Sequence, residues 1–265
     1  MKHIVFLFLF FNICFCISAQ EIRINYFHNF GAIEGFSQIP KGGQYGTTSI
    51  REPTFDQLGI NKINYSKLFL ELLDEKWGIY FEIKNNQFRG KNVLKKEIKT
   101  HDVKLPLNTK IESKHKYNFY NIGLKHVIYE NNNFKISPKI EFSVFDFKYT
   151  FSAENKDEKV YISNDTRNFK AGGVRIGGNF EYFINDRITI TTDMMTHIPY
   201  GSIKKSLEVI IVLSQNIYKK NNKEINLLYG IGYDFFKYKD SQQDMQNYMK
   251  NRIAPIFIGG LEYKF

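Results

Sequence analysis

Asp193, Met195 and His197 occupy alternate positions in Thr191-Thr192-Asp193-Met194-Met195-Thr196-His197, so in an extended strand the three side chains leave one face. A carboxylate and an imidazole on that face could hold and deprotonate a water, as general-base chemistry requires. Asp193 and His197 are therefore the candidate catalytic pair, with a hydrogen-bond network as the bland alternative. A second chemistry is electrostatic. Lys95, Lys96 and Lys99 lie in a stretch, residues 88–116, that also carries Arg89, Lys91, Lys104, Lys110, Lys114 and Lys116 against only Glu97, Asp102 and Glu112. Such a run attracts phosphate groups. The glycine-rich Gly42-Gly43-Gln44-Tyr45-Gly46-Thr47-Thr48-Ser49 lacks the lysine that a nucleotide phosphate loop places before its Ser/Thr, so no nucleotide or other cofactor is expected.

The elements that must position these groups are strands. From Glu21 to Phe265 apolar residues recur with period two, placing strands at 21–30, 64–73, 77–87, 113–129, 134–151, 168–184, 187–198, 206–219, 224–238 and 251–265. The links between them alternate. Asp74 to Lys76, Glu130 to Asn133, Asn185-Asp186 and Lys220 to Lys223 are hairpin turns, whereas 31–63, 88–112, 152–167, 199–205 and 239–250 are longer or more polar. A β-sandwich has no reason for that alternation, but a membrane barrel, with short turns at one end and long loops at the other, does. In the long first loop, Thr54 and Gln57 spell a capping box, so residues 54–59 are expected to form one helical turn.

Residues 1–20 read as a signal peptide. Lys2 precedes an apolar stretch from Ile4 to Ile17, followed by Ser18-Ala19-Gln20. Cys14 and Cys16, the two cysteines, lie within it, so the exported domain at 21–265 is expected to hold together without disulfides or thiolate zinc. The formal charge is +10, or +9 without Lys2, which calls for an anionic neighbour or a solvated surface. Export rules out nucleic acid as that neighbour. Beyond residue 20 no apolar run reaches the roughly 18 residues of a spanning helix.

Along the strands one phase is apolar and the other polar or small. Leu207, Val209, Ile211 and Leu213 alternate with Ser206, Glu208 and Ser214; Ile253, Phe257, Leu261, Tyr263 and Phe265 alternate with Arg252, Gly260, Glu262 and Lys264. If lipid meets the apolar phase, the interior holds Arg23, Lys67, Lys84, Lys125, Lys139, Lys148, Arg175, Arg252 and Lys264. Facing them are Glu71, Glu82, Glu141, Asp146, Glu181, Asp193, Glu208, Asp234 and Glu262. The two sets are equal in number, so the interior is expected to be filled by ion pairs, since an unpaired buried ion costs several kcal/mol. Trp77, Tyr117, Tyr129, Tyr149, Tyr182, Tyr218, Tyr238 and Tyr263 lie towards strand ends, where rings suit a bilayer interface.

The signal peptide, the strand meander and the terminal Gly259-Gly260-Leu261-Glu262-Tyr263-Lys264-Phe265 resemble a bacterial outer-membrane β-barrel protein. That resemblance implies an all-β, transmembrane, antiparallel up-and-down barrel of about ten strands, with both termini in the periplasm. It makes Phe265, with Tyr263, the signal read by the barrel-assembly machinery. It also implies outer-membrane lipid and lipopolysaccharide as partners, and on that basis Lys95, Lys96 and Lys99 are assigned a lipopolysaccharide contact. Ten-stranded outer-membrane proteases are similar in strand count and in carrying acids and histidine near the rim, but their paired-acid motif has no clear counterpart here. Lipid A deacylases need a serine beside an outward histidine, and neither His28 nor His126 has one two or three residues away. The expected function is structural or surface-interacting, as a monomer acting through its outer loops. The alternatives are a narrow selective channel and a rim hydrolase; general porin activity is disfavoured at this strand count.

Overall fold

The computed structural model describes residues 21–242 and 244–265. The export signal read at residues 1–20 lies outside the described residues. Ten long strands form the wall: β1 (Glu21–Gln38), β2 (Lys62–Asp74), β3 (Trp77–Val93), β6 (Lys110–His126), β8 (Phe134–Asn155), β9 (Val160–Asn185), β10 (Ile188–His197), β11 (Ile203–Lys220), β12 (Lys223–Lys239) and β13 (Tyr248–Lys264). Three short pieces decorate it, β4 (Ile98–Thr100) pairing β5 (Val103–Leu105), and β7 (Tyr129–Glu130) beside β8. Every neighbouring pair in the wall is antiparallel, and the sheet closes where β1 meets β13. At that seam the Ile22 amide donates to the Phe265 carbonyl at 2.7 Å and the Phe265 amide donates back at 3.0 Å. Closure leaves no sheet edge, as hydrocarbon demands.

The short turns all lie at one end and are built from their own side chains. The Asn131 Oδ1 accepts from the Asn133 and Phe134 amides at 2.8 Å, and the Asn185 Oδ1 accepts from the Arg187 and Ile188 amides at 2.9 and 3.0 Å. Asn at such positions stabilises a tight reversal by standing in for a backbone acceptor.

Outside, an apolar band encircles the wall. Phe81 on β3, Ile122 on β6, Phe142 on β8 and Val174 on β9 form one row through the ladder, and Ile83, Tyr120 and Val144 form the next. Ile140, Phe142, Tyr229 and Ile231 are each more than half exposed, which water would penalise and lipid rewards. On β8 the band runs from Ile136 to Val144, roughly 26 Å along an extended strand. With the usual tilt of about 40° this is roughly 20 Å, close to the ~25 Å of an outer-membrane barrel. A closed antiparallel wall with this band belongs in a bacterial outer membrane.

The strands continue well past the band, and three expectations change as a result. First, β8 and β9 extend to Asn155 and from Val160, because Phe145, Phe147, Tyr149 and Phe151 keep the inner face of β8 apolar while Lys148, Thr150 and Ser152 face out. Second, the inward charges assigned by alternation hold except for Asp146, Lys148 and Arg252. Asp146 and Lys148 have the parity opposite to Lys139 and Glu141 on β8 and lie outside. A register shift near Pro255, opposite Gly31/Ile33 on one side and Gly232/Asp234 on the other, flips the phase of β13. Ile253 therefore turns inward, and Arg252 pairs with Glu34 at 2.6 Å on the outer surface. Third, Tyr117, Tyr149 and Tyr238 are not interfacial: all three are buried inside, while Trp77, Tyr129 and Tyr218 are exposed on the wall.

Candidate functional site

The barrel interior has two chemistries, one stacked on the other. Nearer the short turns, ionised side chains reach across the lumen. The Arg175 guanidinium donates to Glu141 Oε1 at 2.6 Å and to Glu208 Oε2 at 2.7 Å. Glu208 also meets Lys84 at 3.3 Å and Lys67 at 3.6 Å. Lys84 pairs with Asp234 and Lys67 with Glu82, while Lys125 pairs with Glu71 at 2.6 Å and Lys139 with Asp193 at 2.6 Å. Neutral groups complete the shell: the Tyr80 hydroxyl donates to Glu141 at 3.0 Å and the Asn121 amide to Glu82 at 2.9 Å. Geometry of this quality is what offsets the desolvation of so many ions.

A cavity of about 110 Å³ remains in this half, lined by Arg23, Lys67, Glu71, Lys139, Glu181 and Asp193 among others. Charged groups share its lining with Phe69, Ile210 and Leu228, and it is large enough for a few waters.

Nearer the long loops the interior becomes apolar and aromatic. Phe55, from the 39–61 loop, is completely buried, its ring set edge-on to Phe88 at 5.6 Å and His115 at 5.5 Å, with Tyr117 at 6.5 Å. Leu58 and Ile60 follow it into the same core. The capping box anticipated at Thr54 and Gln57 is made reciprocally: the Thr54 amide donates to Gln57 Oε1 at 2.7 Å and the Gln57 amide to Thr54 Oγ1 at 3.2 Å. Gly59 ends this turn at φ +70°, with Lys91 O so close that a Cβ would meet it at 2.4 Å. The loop is tied to the wall by the Ser37 amide, which donates to the Pro53 carbonyl at 3.0 Å, by the Phe55 amide, which donates to the Gly35 carbonyl at 3.0 Å, and by Asn92 Nδ2, which donates to the Asp56 and Gln57 carbonyls at 3.1 Å. It is tied to the β4–β5 hairpin through the Ser49 amide, which donates to the Lys99 carbonyl at 2.7 Å.

Asp193 and His197 both face inward, but they line different spaces. Asp193 borders the larger cavity and is engaged by Lys139. His197, 4% exposed, borders a smaller one of about 20 Å³, where its Nδ1 lies 2.6 Å from Ser206 Oγ. The buried Met195 stands between them. Ser206 as the partner of His197 is visible only once β10 and β11 are paired. Among the loop lysines, Lys96 is paired with Glu52 and Lys99 meets Asp102 at 3.0 Å, while Lys95 is exposed and makes no salt bridge among the described residues. The hydrogen bond from Lys99 holds the Asp102 carboxyl below its ordinary pKa. Tyr263 and Phe265 place their rings 5.2 Å apart beside the seam. The apolar loop residues Phe55, Leu58 and Ile60 were the available sign that the 31–63 segment turns inward, since a solvated loop has no use for them.

No family model matches the chain, and neither does any curated protein. Solved structures do. The outer membrane protease OmpT from Escherichia coli is similar over 94% of this chain and 98% of its own, at 11% identity and a TM-score of 0.48. Ail, the attachment invasion locus protein of Yersinia pestis, in complex with the heparin analogue sucrose octasulfate, is similar over 92% of this chain and 98% of its own, at 10% identity and a TM-score of 0.42. The outer membrane protein OprG from Pseudomonas aeruginosa is similar over 93% and 96%, at 12% identity and a TM-score of 0.32. At these identities the likeness concerns the barrel fold alone: the chain is a closed ten-stranded barrel of the outer-membrane type.

Proposed function

We propose that this chain is a closed outer-membrane barrel whose interior is occupied by its own side chains and which acts through its outer loops as a structural or surface-interaction protein. The observation that carries the reading is Phe55, driven with Leu58 and Ile60 into the aromatic outer half of the lumen, above the ion pairs of the inner half. An apolar plug over a charge-balanced floor leaves no continuous wet path, and ions do not cross a dry aromatic constriction. Lys95 is the loop lysine left for lipopolysaccharide, since Lys96 and Lys99 are engaged by acids. The test is conductance of the refolded chain in planar bilayers: no steady current is expected, and a stable ohmic step from the intact chain would overturn the reading.

The second reading is a narrow selective channel, favoured by the cavity of about 110 Å³ that charged side chains border in the inner half. That reading needs the 39–61 loop to leave the mouth, so it predicts current from the intact chain as well as from a chain lacking residues 41–58. The closed reading predicts current from the shortened chain at most.

A further inference from the structure

Above the apolar band one sector of the outer wall is cationic. Arg89 on β3 stands directly opposite Lys114 on β6, and one level nearer the membrane Lys116 on β6 stands opposite Lys148 on β8. Opposed and successive same-face positions in a sheet are roughly 5–7 Å apart, so the four charges form one cluster. They point away from the lumen, because the residues alternating with them, Phe88, His115, Tyr117, Phe147 and Tyr149, are buried inside. None of the four makes a salt bridge among the described residues. The acids nearby are otherwise engaged or displaced: Glu112 pairs with Lys91 at 2.9 Å, and Asp146 lies one level below, opposite Lys170. Partial burial, with Arg89, Lys116 and Lys148 around it, lowers the pKa of Lys114.

Like charges directly opposed across a ladder are destabilising, so this arrangement gains from a multivalent anion. Its height says where that anion is carried. Below the cluster lies a row containing Asn85, Asn118 and Asp146, and below that the last apolar row of Ile83, Tyr120 and Val144. The cluster thus begins roughly 10 Å above that last apolar row, with Arg89 and Lys114 about 5 Å higher, at the outer side of the headgroup layer where the sugars and phosphates of an outer-leaflet lipid stand. A soluble anion has no need of that height. We propose that Arg89, Lys114, Lys116 and Lys148 form a lateral binding site for a phosphorylated outer-leaflet glycolipid, with its phosphates among the four cations and its acyl chains against the apolar rows beneath. The site is distinct from the loop lysines Lys95, Lys96 and Lys99. It rests on the outer-membrane placement and is independent of the closed lumen.

The experiment places the full barrel in phosphatidylcholine nanodiscs containing a small fraction of bisphosphorylated lipid A or of the same lipid enzymatically stripped of phosphate, and counts retained glycolipid per barrel by native mass spectrometry. The phosphorylated lipid is expected to be retained at least tenfold better than the stripped one. The quadruple change Arg89→Gln, Lys114→Gln, Lys116→Gln and Lys148→Gln is expected to abolish that preference. Lys114→Arg, Lys116→Arg and Lys148→Arg together are expected to keep it, and heat-modifiable gel mobility checks that each variant is folded. Equal retention of the two lipids, or a preference that survives the glutamine changes, overturns the site. Full competition by millimolar inorganic phosphate overturns the lipid as its source. A conducting barrel that still selects the phosphorylated lipid would defeat the closed-lumen reading and leave this one standing.

Discussion

Replacing Arg175 with Met probes the ion-pair floor at its most connected cation. The guanidinium is 6% exposed and makes two charge-assisted bonds, of 2.6 Å to Glu141 and 2.7 Å to Glu208. Methionine fills comparable volume and strands both carboxylates. Glu141 keeps only the Tyr80 hydroxyl, and Glu208 keeps Lys84 and Lys67 at 3.3 and 3.6 Å. Losing one partner of a buried pair costs about 3–5 kcal/mol, and two hydrogen bonds to charged groups at about 1.5–3 kcal/mol each give a similar figure. Arg175→Met is therefore expected to destabilise the barrel by about 3–5 kcal/mol. Adding Glu141→Gln removes one stranded charge while keeping an acceptor for Tyr80, so the double change should regain about half of the loss. The assay is urea unfolding from lipid vesicles followed by Trp77, the sole tryptophan, which is 58% exposed on the wall and packs on His126. An Arg175→Met barrel within about 0.5 kcal/mol of the parent, the scatter of ordinary surface changes, would refute the idea that these charges are balanced by one another.

Three further outcomes follow from the plug and the seam. Gly59→Ala puts a Cβ within 2.4 Å of the Lys91 carbonyl in a left-handed conformation, so the 54–60 turn should be dislodged and trypsin should cut at Arg51 in vesicle-embedded protein where the parent resists. Tyr117→Phe leaves the fully buried Ser37 hydroxyl without its 2.9 Å partner and should cost about 1–3 kcal/mol in the same urea assay. If Phe265 and Tyr263 form the assembly signal, Phe265→Ala should lower the yield of heat-modifiable barrel in cells several-fold while refolding in detergent proceeds normally; equal loss in both settings would make its role structural.

The barrel was legible because a wall in contact with lipid must alternate, as Ser206 to Val209 on β11 and Tyr229 to Phe235 on β12 do. It became illegible where the chemistry on the two faces changed. Above the membrane β8 keeps alternating, but Lys148 now belongs to the wet outside and Phe147 and Tyr149 to a dry inside, so a rule tuned to lipid reads the faces the wrong way round. The shift at Pro255 reverses Arg252 and Ile253 relative to the phase of residues 256–264, because a bulge puts the side chains on its two sides in opposite register. The lumen charges were identifiable as a set because carboxylates and ammonium groups do not face hydrocarbon. Their partners were not, since Lys84 and Asp234, or Arg175 and Glu208, meet across the lumen between strands that are not neighbours. The same holds for His197, whose neighbour Ser206 is supplied by the adjacent strand. The inward course of the 39–61 loop depends on cavity shape, which no periodicity encodes.

The most direct test is where water and lipid touch the wall. Residues 21–265 contain no cysteine, so single cysteines at Ile140, Phe142 and Tyr229 in the band, and at Lys116 and Lys148 above it, can carry nitroxide labels in reconstituted vesicles. Labels at 140, 142 and 229 should collide with dissolved oxygen, which concentrates in hydrocarbon, and be shielded from a water-soluble nickel chelate, while those at 116 and 148 should show the reverse. A nickel chelate that reaches 140, 142 and 229 as freely as 148, or labels there that meet neither reagent, would contradict a lipid-clad barrel.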